Sequence, residues 1–176
     1  MSARSALALA VEPLSTEPAE DFKRAMRRLT STVSIIATGV GDARSGMVAT
    51  AVSSLCTDPP SLLICINRSA SLCEPLLTNQ RFSVNLLDAA QSQLVGVFAG
   101  QLKGHARFEH GDWAAFDDLP YLPDAQATLF CSVDARLTYA THEVIVGRVE
   151  RSLVTERISP LLWQDGKPAQ SCALIH

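Results

Sequence analysis

No run of apolar residues in the 176-residue sequence approaches the roughly 18 that a membrane-spanning helix needs, so no segment reads as a membrane span. The nearest thing to a targeting signal is Ala6–Val11 behind Arg4. It is too short, and Glu12 and Pro13 break it, so residues 1–17 read as a flexible leader. Neither sign of charge dominates: 15 Lys and Arg stand against 18 Asp and Glu, a net charge of −3. Nothing in that balance points to nucleic acid or to an anionic membrane. No Cys-x-x-Cys pair occurs, and the five cysteines (56, 65, 73, 131 and 172) are odd in number and scattered, which argues against a disulfide framework. The four histidines (105, 110, 142 and 176) fall at no zinc-like spacing from them, so no metal is expected. Free, buried thiols in a reducing cytoplasm are the plain reading. Also absent are G-x-S-x-G, a P-loop and G-x-G-x-x-G, which removes three common catalytic and nucleotide-binding motifs.

What is present is apolar for a chain of this size, with 47% hydrophobic residues and a mean hydropathy of +0.15. The length favours one domain, residues 18–170, with a tail over 171–176. Some of the apolar surface suits a subunit interface, because obligate interfaces are more hydrophobic than ordinary surface. Phe22, Ala25, Met26 and Leu29 recur at helical spacing, with Lys23, Arg24, Arg27 and Arg28 on other faces. Strands are expected over Thr32–Thr38, Gly46–Val52, Leu62–Ile66 and Phe82–Leu87, with Asp58-Pro59-Pro60 as a stiff break. Ala127–Tyr139 and Glu143–Val154 are long enough to pair as an antiparallel hairpin turning at Tyr139–His142. Ser71-Leu72-Cys73-Glu74 fits a capping box and predicts a helix over 72–79; Asp88–Gln91 has the same form and predicts a helix through Leu94, Val95 and Phe98 to Gly100. About seven strands and three helices without β-α-β alternation indicate a mainly β fold, an antiparallel barrel with a few helices packed on it.

Three places carry candidate chemistry. Thr50, Ser53, Ser54 and Thr57 are hydroxyls in an otherwise apolar stretch that also holds the small residues Ala49 and Ala51. Small side chains let a flat ligand approach main-chain N–H groups, although an edge strand without a ligand has the same composition. Asn67-Arg68-Ser69-Ala70-Ser71 lies ahead of the expected helix start, where free N–H groups, the helix dipole and a guanidinium suit a phosphate. Thr141-His142-Glu143 sits at the hairpin corner, where a histidine is structural or catalytic.

Taken in order, FKRAMRRLTSTVSIIAT (22–38), GMVATAVSSLCTDPPSLLICINRSAS (46–71), RFSVNLL (81–87), FAG (98–100), ARF (106–108), THEVIVGRV (141–149) and PLLWQDGKP (160–168) resemble the flavin reductase family. Its members serve two-component flavin monooxygenases such as 4-hydroxyphenylacetate 3-monooxygenase. The resemblance covers Phe22 to Pro168. It implies an FMN-binding split β-barrel of antiparallel Greek-key type and a homodimer with FMN or FAD near the interface. It also implies hydride transfer from NADH or NADPH to the flavin, and a partner monooxygenase that receives the reduced flavin. By position, it implies that Val48, Ala49 and Thr50 lie along the isoalloxazine ring and that Ser53 and Ser54 bond the ring edge or ribityl chain. Asn67, Ser69 and Ser71 would hold the ribityl-phosphate end, His142 would stand on the nicotinamide side, and Phe98, Arg107 and Phe108 would help close the site. The family often has Gly-Asp-His or Gly-Thr-His where this chain has Ala140-Thr141-His142, and a charged residue where it has Ala106. The rival use of the same barrel is a non-reductase, FMN-binding redox or sensing module.

Overall fold

The computed structural model describes residues 17–173; the expected leader, but for Glu17, and the last three residues of the tail lie outside the described residues. Helix α1 (Pro18–Met26) begins with proline at its first turn, where the missing N–H costs nothing, and carries Glu20 and Asp21 there and Lys23 and Arg24 in its last turn. Its expected apolar stripe forms and stays largely exposed among the described residues: Phe22 is 64% and Met26 45% exposed.

The strands, in chain order, are β1 (Ser31–Thr32), β2 (Ser34–Thr38), β3 (Ser45–Ala49), β4 (Val52–Thr57), β5 (Pro60–Asn67), β6 (Arg81–Leu86), β7 (Ala114–Phe116), β8 (Leu119–Tyr121), β9 (Ala127–Tyr139), β10 (His142–Val154), β11 (Leu161–Gln164) and β12 (Lys167–Gln170). Seven of them make the main sheet in the order β3-β2-β6-β9-β10-β5-β4, and every pairing is antiparallel. The two edge strands, β3 and β4, are consecutive in the chain, with only Thr50 and Ala51 between them. Two residues span too little distance for a flat sheet of seven strands at about 4.8 Å spacing. The sheet therefore curls until its edges approach, leaving a seam at Thr50–Ala51.

The inner face of the curl is filled by one apolar cluster that includes Ile36, Leu62, Ile64, Ile66, Phe82, Val84 and Ile145. A second cluster covers the outside of β2, where Val33, Ile35 and Ala37 meet Leu94, Val97, Phe98, Phe108, Leu122 and Leu161. All five residues of β2 are buried, which is why its sequence is a continuous β-rich run rather than an alternating one. Asn85 anchors these layers: its amide donates to Ile35 O and Ser83 Oγ, and its carbonyl oxygen accepts from Leu122 N and Thr128 Oγ1.

The β9–β10 hairpin turns as expected, with Tyr139 opposite His142 and Ala140 at φ 49°. Five short strands had no signal in the residue pattern. Of these, β1, β11 and β12 form a small sheet, and β7 with β8 forms a hairpin. Two helix expectations need correction. Helix α2 (Cys73–Asn79) starts from Leu72 with no side-chain cap, so Ser71 does not close a capping box. The box at Asp88–Gln91 does form, with Asp88 accepting from Ala90 N and Gln91 Oε1 from Asp88 N, both at 2.9 Å. The helix expected beyond it is broken into a 3-10 turn at 89–91, a short α3 (Leu94–Gly96) and a π turn at Val97–Gln101, within which Gly100 departs to φ 122°.

Candidate functional site

The seam collects the three pieces that the sequence singled out. Cys65 N donates to Ala51 O at 3.2 Å, so the crossing from β3 to β4 runs beside the end of β5. Asn67, two residues on, is the register partner of His142 on β10. Arg68 N donates to Thr141 O at 2.9 Å, tying the 67–71 loop to the histidine corner. On the other side, Ser45 Oγ donates to Ser71 O at 3.3 Å, tying the same loop to β3.

Within the seam, Val48 is half-buried against the outer cluster and Ala49 is buried in the inner one, while Thr50, Ser53 and Ser54 are exposed. The free edges of β3 and β4 border the seam, since among the described residues β3 pairs only with β2 and β4 only with β5. Edge strands present unpaired N–H and C=O groups. Thr50 and Ser54 also line a cavity of about 620 Å³ at the seam's lower end.

The loop is folded on itself. Asn67 Oδ1 accepts from Ser69 N at 2.9 Å and from Ser69 Oγ at 2.8 Å, an Asx turn that exposes Ser69 and leaves the Asn67 amide group free to donate. Ser71, released from capping, accepts at its hydroxyl from Arg107 Nη1 at 3.4 Å. Arg107 is itself buried; its Nη1 also donates to Gly46 O at 2.6 Å and its Nε to Leu102 O at 2.8 Å. One guanidinium therefore fastens β3, the loop and the segment after the π turn. Phe98 and Phe108 are buried, not exposed, and with Trp113 they form an aromatic cluster with centroid separations of 4.8–5.4 Å. This cluster backs Gly46 so closely that a Cβ there would lie 3.0 Å from Phe98 and 3.1 Å from Phe108.

His142 is exposed, and its Nδ1 lies 2.9 Å from Thr141 Oγ1. Glu143, named in the sequence only as part of the Thr141-His142-Glu143 corner and given no role there, is buried. Thr138 Oγ1 donates to its two carboxylate oxygens at 2.9 and 3.1 Å, and Arg68 Nε lies at 3.8 Å. The alternation along β10, which sends neighbouring side chains to opposite faces, was the available signal. Cys73 lies nearby, its thiol pushed up by burial first and by the Glu143 carboxylate second, against a lowering by Arg68 and Arg136. Burial pushes the Cys131 thiol up to about 12. Neither thiol is a nucleophile at neutral pH. Among the described residues no cluster of His, Cys, Asp or Glu is placed to hold a metal, and no helix is long and apolar enough to cross a membrane.

This arrangement brings the free edges of β3 and β4, the hydroxyls of Thr50, Ser53 and Ser54, a polar loop tied to Arg107 and the histidine corner to one region of the sheet. Comparisons with known proteins give the chain a family. The flavin reductase like domain matches residues 26–171. The reductase component of the FADH(2)-dependent resorcinol hydroxylase of Rhizobium sp. (strain MTP-10005) is 40% identical over 157 residues, 88% of this chain and 86% of that protein. The FMN reductase (NADH) RutF of Pseudomonas syringae pv. syringae is 35% identical over 137 residues, 77% of each chain. Among solved structures, the flavin reductase PheA2 superposes with a TM-score of 0.80 at 29% identity, covering 89% of this chain and all of that one. The chain belongs to the flavin reductase-like domain family.

Proposed function

We propose that the chain is an NADH-dependent flavin reductase that supplies reduced FMN or FAD to a partner monooxygenase. The observation that carries this reading is the meeting of ring segment, polar loop and histidine corner at one seam, in a chain 40% identical to the reductase component of a flavin-dependent hydroxylase. The residues present fit a flavin. The seam combines unpaired edge amides for a ring with polar edges, small residues at Ala49 and Ala51 that admit a flat body, and a polar loop for an anionic tail.

When bound, the flavin accepts hydride from the nicotinamide, and that redox chemistry belongs to the two cofactors. The chain supplies position and electrostatics. Main-chain N–H groups of the 48–54 segment, with the hydroxyls of Thr50, Ser53 and Ser54, bond the ring's polar edge and favour added negative charge on it. Asn67 Nδ2, Ser69 and Ser71 hold the ribityl-phosphate end, with the Arg107 guanidinium behind Ser71 adding positive potential. Phe98 and Phe108 support β3 from behind through Gly46 and so fix the ring wall rather than touching the ring. His142, on the exposed face, positions the nicotinamide against the ring and keeps water from it.

A homodimer suits the apolar surface left open on a single chain. Leu55 (48% exposed) on β4 and Leu137 (64%) and Tyr139 (75%) on β9 are left largely uncovered by the protomer. A cytoplasmic enzyme suits the five free cysteines.

The test is direct. Purified protein at catalytic concentration is mixed with NADH and excess free FMN or FAD, and nicotinamide absorbance is followed. Many turnovers per protein molecule are expected. A single stoichiometric bleaching, or none, rejects the reductase in favour of a non-catalytic flavin-binding module. Repeating the assay with NADPH and with each flavin fixes the donor and acceptor preferences.

A further inference from the structure

Among the described residues Glu143 is the one buried carboxylate, 5% exposed. It stands on β10 opposite Ile66 of β5 and Thr138 of β9. Ile145, two residues along the same face, belongs to the inner cluster, so the Glu143 side chain points into the curl of the sheet. It does so at the end that α2 covers with Cys73 and Leu76. A cavity of about 500 Å³ opens there, with Arg68, Arg136, Thr138, Cys73 and Glu143 in its lining.

A carboxylate in such a place is costly unless paired, and a well-packed apolar side chain would serve stability as well or better. Glu143 is paired thinly. A single hydroxyl, Thr138 Oγ1, donates to both of its oxygens at 2.9 and 3.1 Å. Among the described residues the one cation within ion-pair distance is Arg68, whose Nε lies 3.8 Å from Oε1. That separation is charge attraction rather than a hydrogen bond. The pair is better explained by what it does to Arg68.

Arg68 belongs to the 67–71 loop. Its main chain is fixed, with its N donating to Thr141 O at 2.9 Å, but its side chain is 59% exposed. The Nε side faces Glu143, and among the described residues neither Nη group has a hydrogen-bond partner. A guanidinium carries its donors in a fixed plane, so one edge can be held by a carboxylate while the other meets a second anion. Asn67, Ser69 and Ser71 flank it, in the loop given above to the ribityl-phosphate end.

We propose that Glu143 is a positioning residue for flavin binding: it holds Arg68 by the Nε side and so presents the Nη groups to the anionic end of the flavin. The proposal rests on the flavin reading above. A long exposed arginine loses rotamer freedom when it binds an anion, and a carboxylate that already limits its rotamers removes part of that cost. Glu143 also repels a phosphate, so its net effect is the orienting gain less that repulsion. It touches no flavin atom itself.

The experiment is a double-mutant cycle on the full chain: Glu143→Gln, Arg68→Gln and the pair. FMN and riboflavin are titrated into each protein at one ionic strength, and flavin fluorescence is read. Riboflavin has the ring and ribityl chain but no phosphate, so it reports on the ring wall alone. Arg68→Gln should weaken FMN about tenfold, and Glu143→Gln, which still accepts from Thr138, about threefold to fivefold. In the Arg68→Gln background Glu143→Gln should weaken FMN no further, because no guanidinium is left to hold. Riboflavin should bind all four proteins within about twofold of one another. If Glu143→Gln does not fold, Glu143→Leu, an apolar replacement in an apolar place, reads out the same loss. Tighter FMN binding by Glu143→Gln would mean that the carboxylate withholds Arg68, and would overturn the proposal. Equal weakening of FMN and riboflavin, which marks a merely structural role, additive effects of the two substitutions, or unchanged FMN affinity would each overturn it as well. These readouts are affinities. A chain that shows them but turns over no NADH loses the reductase reading and keeps this one; a chain that binds neither flavin loses both.

Discussion

Replacing Arg107 tests how the site is braced. The Arg107 guanidinium donates to Gly46 O, Leu102 O and Ser71 Oγ, and no carboxylate lies within ion-pair distance of it among the described residues. Its positive charge is held by neutral oxygens alone. Arg107→Met keeps the length and apolar stem but removes every donor, leaving the buried Gly46 carbonyl and the half-buried Leu102 carbonyl without this partner. An orphaned buried acceptor costs about 1–3 kcal/mol, so the variant should lose about 2–4 kcal/mol. For a domain of this size each kcal/mol moves Tm by about 2–4 °C, a fall of roughly 5–15 °C. Arg107→Lys reaches one carbonyl at most and should fall between the two. Because the same side chain ties Ser71 to β3, flavin titration at a temperature where all three proteins are folded should show the same rank order. Thermal denaturation by circular dichroism gives Tm. Both variants within about 2 °C of the parent, or lysine no better than methionine, would refute this account of Arg107 as a three-way brace.

Other substitutions probe the same geometry. Gly46→Ala places a methyl group 3.0 and 3.1 Å from two buried rings that cannot retreat; overpacking of about 1–3 kcal/mol should appear as a lowered Tm, with weakened flavin binding as β3 shifts. Ala140→Gly relieves an L-residue at φ 49° in the hairpin turn; a gain of about 0.5–1 kcal/mol is expected after glycine's entropy cost, read from urea unfolding. His142→Ala should lower turnover about tenfold or more while changing the flavin Kd little, since the ring exists without its lid but the nicotinamide loses its guide; unchanged steady-state kinetics would remove His142 from the site. The Cys131 thiol, raised by burial from 9.0 to about 12, stays protonated in the folded protein where the unfolded chain ionises. Its contribution is full below about pH 9 and is lost as pH rises toward 12, at about 1.4 kcal/mol per unit. Urea unfolding at pH 8 and pH 10.5 should show that loss, and Cys131→Ala should flatten it.

Legibility in the sequence was uneven, for physical reasons. β2 and the β9–β10 hairpin declared themselves because long β-branched or alternating runs have few other conformations. The five short strands did not, because two to four residues carry no period, and β1 with β11 exists only through tertiary pairing. Ser71 had the pattern of a cap, but Arg107, thirty-six residues on, competed for the hydroxyl and won. Phe98 and Phe108 entered the sequence reading only as residues that would help close the site; their packing on each other and their burial behind Gly46 depend on a π turn that no local pattern announces.

At the seam, strand edges that face each other without pairing should exchange their amide hydrogens quickly, because no partner strand must open first. The free-edge amides of β3 and β4 should therefore be among the first in the sheet to take up deuterium, whereas those of β2, buried on both faces, should be among the last. A flat molecule bridging the two edges would act as the missing strand and slow that exchange. Binding would then read as the closing of a barrel that the chain leaves two residues short.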